Sequence, residues 1–152
     1  MLTLSRDIFF YKKIGLPDTF ETRIYLMFMH FSILMIIFKK KKSKFDQRSY
    51  DYFFHNIEYN LRELGFGDIA VNKRMKEFNK ILYDILLKID DEKLSNNSVR
   101  INHNLISKYF VDLNDKKGSK FIEFDRYFTK FFHFCFELSL DNMIEDLKKF
   151  KN

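Results

Sequence analysis

Apolar residues recur along this chain at steps of three and four over most of its length, the spacing of a helix that buries one face. With one proline and four glycines, long helices with few breaks are expected. A short leading helix is expected over residues 4 to 14. In the following LPDTFE, Pro17 stops what precedes it, Asp18 stands where it can cap the next helix, and Glu21 completes a capping-box arrangement. The helix predicted there runs from about Thr19 to Phe38. Its stretch Ile24 to Phe38 is apolar apart from His30 and Ser32, so the helix is either a central core helix or membrane-associated. That stretch spans roughly 22 Å, short of the roughly 30 Å of a bilayer's hydrocarbon layer.

Lys39, Lys40, Lys41 and Lys42, followed by Lys44, place cations at the end of this helix, where its dipole favours them. They read as a solvated turn or as a patch for an anionic membrane surface or ribosomal RNA. From Phe45 to Leu64, the residues Tyr50, Phe53, Phe54, Ile57, Leu61 and Leu64 fall on one helical face. Gly65 suits the left-handed position past the helix end, and Phe66 can pack back on Leu61 as in a Schellman closure. Asn72 is the expected cap of the next helix, whose apolar stripe runs from Val71 through Met75, Phe78, Leu82 and Ile85 to Ile89. Lys73, Arg74, Lys76 and Lys80 make its outer face basic. Residues 90 to 98 read as a loop, Val99 to Leu113 as a helix, and DLNDKKGS as another loop. Ser119 is placed to cap a C-terminal helical region over 119 to 151, with Phe121, Phe124, Phe128, Phe131, Phe132, Cys135 and Leu138 at helical steps; a cap at Asp141 would split off a final short helix. The alternation FHFCF could locally satisfy a strand, but the helix around it argues against one.

The expected fold is all-α: one domain over 1–152, a compact bundle of about five to seven helices around a central, strongly apolar helix. With 20 Phe and 8 Tyr the core should be phenylalanine-rich. The net charge of +6 favours acidic partners, although a chain this rich in Lys, Asn, Ile and Phe and poor in Gly and Pro carries the composition of AT-rich coding sequence. The single cysteine, Cys135, excludes an intrachain disulfide and fits a reducing compartment. The N-terminus lacks a continuous apolar region and a small-residue cleavage site, so no secretory signal is expected.

Catalytic chemistry does not announce itself. His30, His55, His103 and His133 are far apart and lack HExxH spacing, and one cysteine builds no zinc knuckle, so neither a catalytic residue nor a metal is expected. The stretch Asp112 to Glu123 has a calcium loop's outline, but Lys116 replaces an oxygen ligand and Lys117 the required glycine. No phosphate-binding or dinucleotide-binding glycine spacing occurs. His30 reads as a buried, hydrogen-bonded core histidine or, with no recognisable second ligand, as a haem ligand. Met27, Met29 and Met35 read as core filling or as an adaptable groove.

The string LRELGFGDIAVNKRMK is more specific than a helix-turn-helix requires. Through Leu61, Arg62, Glu63, Leu64, Gly65, Gly67, Asp68, Val71, Lys73 and Met75 it resembles the hallmark of the ubiquinol-cytochrome c chaperone family. LPDTFETR with the later His30 is similar to the same family's opening segment, and weaker likeness through Tyr83 and HNL extends the resemblance over roughly 15 to 115. Asn72 departs from the pattern where proline often stands, as do Asp84 and Ile85 where Gly and Arg are usual. The resemblance implies a non-enzymatic assembly factor for respiratory complex III with no cofactor and no small-molecule substrate. Its implied client is newly synthesised cytochrome b, met in the cytoplasm or peripherally on the cytoplasmic face of the inner membrane. A small partner subunit and the ribosome are further implied partners. Arg62, Glu63 and Asp68 either lock two helices together or touch the client. The basic residues Lys39 to Lys44, Arg74, Lys76 and Lys80 keep two other readings open, an RNA- or ribosome-binding module and a peripheral membrane scaffold.

Overall fold

The computed structural model describes residues 1–90, 99, 101–113 and 118–151. Among these, seven α-helices occur and no strand: α1 (Leu2–Ser5), α2 (Phe20–Lys40), α3 (Gln47–Glu63), α4 (Asp68–Asp90), α5 (His103–Tyr109), α6 (Ser119–Glu137) and α7 (Met143–Asp146). The all-α expectation holds, FHFCF included. Asp90, expected to open a loop, instead ends α4; the rest of that loop, 91 to 98, and the centre of DLNDKKGS lie outside the described residues.

α2 is the axis of the core. Thirteen of its residues are buried, His30 and Ser32 among them, and α4 and α6 pack along it. By length and hydropathy it could cross a membrane, but 72% of the apolar window is enclosed by the protein's other elements. The membrane alternative left open by its composition therefore gives way to a core helix, which is apolar all round because it has neighbours all round. Phenylalanines fill the contacts: Phe31 stacks on Phe53 of α3 with ring centroids 4.1 Å apart, and Phe28 meets Phe78 of α4 edge-on at 6.1 Å.

Several boundaries differ from the pattern reading for local reasons. The leading helix stops at Ser5 because the Asp7 carboxylate accepts from the Phe9 amide at 2.9 Å; a π-helical turn, Phe9–Lys13, follows. Thr19, not Asp18, caps α2, accepting from the Thr22 amide at 3.1 Å, and Asp18 instead binds Arg23 at 2.7 Å. Asp46 caps α3, so the helix begins after Phe45. α4 begins at Asp68, with the Gly67 carbonyl accepting from Val71 at 3.0 Å, which leaves Asn72 inside the helix and exposed rather than capping it. α5 begins at His103, because Asn102 turns its side chain onto the Asn104 amide at 2.8 Å. Gly118 rather than Ser119 precedes α6, and Asn142 rather than Asp141 precedes α7.

Two helices close by the same device. At the end of α3 the Phe66 amide donates to Leu61 O at 3.2 Å and Gly65 to Arg62 O at 2.9 Å, with Gly65 at φ 87°: the Schellman arrangement. At the end of α2, Ser43 donates to Phe38 O at 2.9 Å and Lys42 to Lys39 O at 3.0 Å, with Lys42 at φ 54°. A lysine there carries the steric cost that glycine avoids.

Candidate functional site

The motif Leu61 to Met75 is the corner between α3 and α4. Leu61 and Val71 are buried beneath it and Met75 is half-buried, while Leu64, Gly65, Gly67 and Lys73 face solvent. Leu64, expected on the buried face, is 59% exposed because the closing turn lifts it past the last contact of α3. Arg62 clips the corner: its guanidinium binds Glu58 at 2.9 Å and also Asp68 at the start of α4. Glu58, four residues earlier, takes the place foreseen for Glu63, which is exposed. Phe66 lies under the Arg74 guanidinium at 6.0 Å, and Ile69 is 88% exposed at the tip.

The basic residues do not form one surface. Arg74 lies 3.9 Å from Glu21 near the start of α2, whereas Lys39 shares a cavity wall with Leu86 and Leu87 near the end of α4. Arg74 and Leu86 are about 18 Å apart along α4, so Lys73, Arg74 and Lys76 sit at one end of the α2/α4 pair and Lys39 to Lys44 at the other. Lys41 is committed to the fold, donating to Leu138 O at 2.8 Å with its ammonium over the Phe136 ring.

His30 is fully buried and both ring nitrogens are used. Leu26 O can only accept, so the 2.6 Å contact puts the proton on Nδ1, and Nε2 then accepts from the Tyr127 hydroxyl at 2.9 Å. Phe10, Phe128 and Phe131 surround the ring, and burial pushes its pKa down to about 3. A neutral histidine so engaged has no nitrogen left for haem. Cys135 is buried, its thiol pushed up to about 12 by desolvation. Among the described residues no group of three or more His, Cys, Asp or Glu could hold a metal ion.

Asp84, where the sequence departs from the family pattern, joins two helices. Its carboxylate accepts from Lys88 at 2.7 Å, Lys108 at 2.9 Å and the Tyr109 hydroxyl at 2.5 Å, which fastens α5 to α4. Burial acts against its ionised form, yet these three donors together hold the carboxyl well below the usual carboxylate range.

A predominantly apolar groove of about 480 Å³ lies between α2 and α3. One wall is Phe20, Ile24, Met27, Phe31 and Leu34 of α2, spaced along a single face. The other is Tyr52, Phe53, Asn56, Ile57 and Asn60 of α3, with Leu64 beyond them. Leu2 and Ile144 stand on its rim, half exposed, and Tyr52 is 71% exposed. The Asn56 and Asn60 amide nitrogens donate back to the carbonyls of Tyr52 and Asn56, at 2.7 and 2.6 Å, so the polar edge of α3 is internally satisfied. Sequence periodicity gave no sign of the groove: α2 is apolar on every side, and nothing in its spacing marks the side that forms the groove floor.

A helical scaffold with an open, apolar groove of this size is suited to holding another apolar surface. The chain belongs to the ubiquinol-cytochrome C chaperone family, whose model matches residues 12–111. Both groove walls and the Arg62 corner lie inside that stretch, and the family supports a chaperone role with a protein client. Among curated proteins and solved structures, none matches the chain at a significant level.

Proposed function

We propose that this chain is a non-enzymatic assembly chaperone that holds newly made cytochrome b during the biogenesis of respiratory complex III, at the cytoplasmic face of the inner membrane. The observation that carries the reading is the family match over residues 12–111, which contains both helices that wall the α2/α3 groove. A chaperone for a membrane subunit must cover apolar segments until they insert, which takes concave apolar surface and no reacting group. The Arg62 clip then acts as a positioning element, fixing the angle between the groove's second wall and α4. Lys39, Lys40, Lys42 and Lys44 at the far end of α2 would hold the complex near anionic lipid.

The test is crosslinking during synthesis. A photoreactive residue at position 52, on the groove rim, should capture nascent cytochrome b; one at Lys130, on α6, should not. Deletion of the gene should lower cytochrome b haem absorbance, and the intact chain should restore it. Normal complex III levels in the deletion strain would sink the proposal.

A further inference from the structure

The groove's charge pattern is one-sided. Eighteen residues line it, and the only charged side chains among them are two arginines, Arg6 and Arg23. In a chain with 32% charged residues, about six would stand there by composition alone, so the lining has the charge depletion of an interface core. Both arginines lie at the end of the groove where α2 begins: the Tyr11 phenol, raised chiefly by burial, feels both. Arg23 is partly neutralised by Asp18 at 2.7 Å. Arg6, exposed just past α1, has no carboxylate within salt-bridge distance among the described residues, and no acidic side chain lines the groove.

Ile24, Met27, Phe31 and Leu34 of α2 form a buried floor, and the exposed apolar surface stands at the rim in Leu2, Tyr52, Leu64 and Ile144. A cavity of about 480 Å³ is too small for a whole helix, some 10 Å across with its side chains, but takes the few side chains that one helix face inserts. We infer that the groove receives an apolar helical segment of the client that carries a carboxylate near one end, with Arg6 binding that carboxylate and setting the segment's direction. The inference rests on the chaperone reading above and adds to it the chemistry of the bound segment.

The experiment uses the full chain and three fluorescein-labelled synthetic helices. Each has leucines on one face and differs only near one end, where it carries Glu, Gln or Lys. The Glu peptide should bind on the order of five-fold more tightly than the Gln peptide, as a partly exposed ion pair allows, and the Lys peptide more weakly still. Arg6→Gln should erase the Glu preference, and Arg6→Glu should transfer it to the Lys peptide. Tyr52→Lys on the rim should weaken all three. Far-UV circular dichroism of each variant shows that it has folded. Equal binding of the three peptides, or a Glu preference that survives both Arg6 changes, overturns the inference. If no peptide binds while cytochrome b still crosslinks at position 52 in cells, the inference fails and the chaperone reading stands; if both fail, both are refuted.

Discussion

Acid should weaken this fold well above the pH at which carboxylates titrate, and His30 is the reason. In the folded chain its ring is neutral, held between Leu26 O and the Tyr127 hydroxyl, with the pKa near 3. In the unfolded chain it titrates near the ordinary 6.5. As the pH falls below 6.5 the unfolded state takes up a proton that the folded state refuses, so stability is full above 6.5 and drains away toward 3. Between pH 7 and pH 5 the loss works out at about 2 kcal/mol, a substantial part of a small domain's stability. Urea unfolding followed by circular dichroism at the two pH values measures it. The control is the double variant His30→Leu with Tyr127→Phe, which removes the ring and the hydroxyl together; its pH dependence over this interval should be about 2 kcal/mol flatter. His30→Leu alone should be less stable than the double variant, because the buried Tyr127 hydroxyl is left unpaired at a cost of about 1 to 3 kcal/mol. If wild type and double variant lose stability in parallel between pH 7 and pH 5, the assignment of a neutral, proton-refusing His30 is wrong.

Other expected outcomes follow from single residues. Gly65→Ala meets no atom within 4 Å of the added carbon, so its cost is conformational alone, about 1 to 2 kcal/mol in thermal or urea unfolding. Lys42→Gly relieves the same strain at the other closure and should stabilise by about 0.5 to 1 kcal/mol. Asp84→Asn should cost about 1 kcal/mol, discounted for partial exposure, and amide hydrogen exchange should locate the loosening in α5 rather than α2. Ser32→Ala removes a buried hydroxyl with no partner among the described residues and should be neutral or stabilising by up to about 1 kcal/mol, which calorimetry would show.

What could be read from the chain depended on how far each interaction reaches. The closure at Gly65 was legible to the residue because the glycine and both hydrogen bonds lie within five positions. The stripes of α3, α4 and α6 were legible because each helix has one buried face, so period and burial agree. Caps were the weak point: Thr19 and Asp18 are adjacent cap formers, and only the packing of Arg23 onto Asp18 decides between them. Asn72 looked like a cap because Gly67, which precedes α4, has no side chain to advertise itself. Asp84 was invisible because two of its partners, Lys108 and Tyr109, lie 24 and 25 residues away on another helix. His30 was legible as a buried, hydrogen-bonded residue, but its partner Tyr127, 97 positions on, was not. Nor could the motif at Leu61 to Met75 say which surface meets a partner, since it builds the corner beside the groove rather than the groove.

The isolation of Cys135 makes the protein a convenient reporter of its own binding. A thiol at 0% exposure with its pKa near 12 will not react with maleimides or iodoacetamide while the fold persists. The chain also contains no tryptophan. A cysteine introduced at Tyr52 would therefore be the sole reactive sulfur, and a tryptophan introduced at Asn60 the sole indole emitter, each placed in the groove without first stripping the native sequence of competing signals.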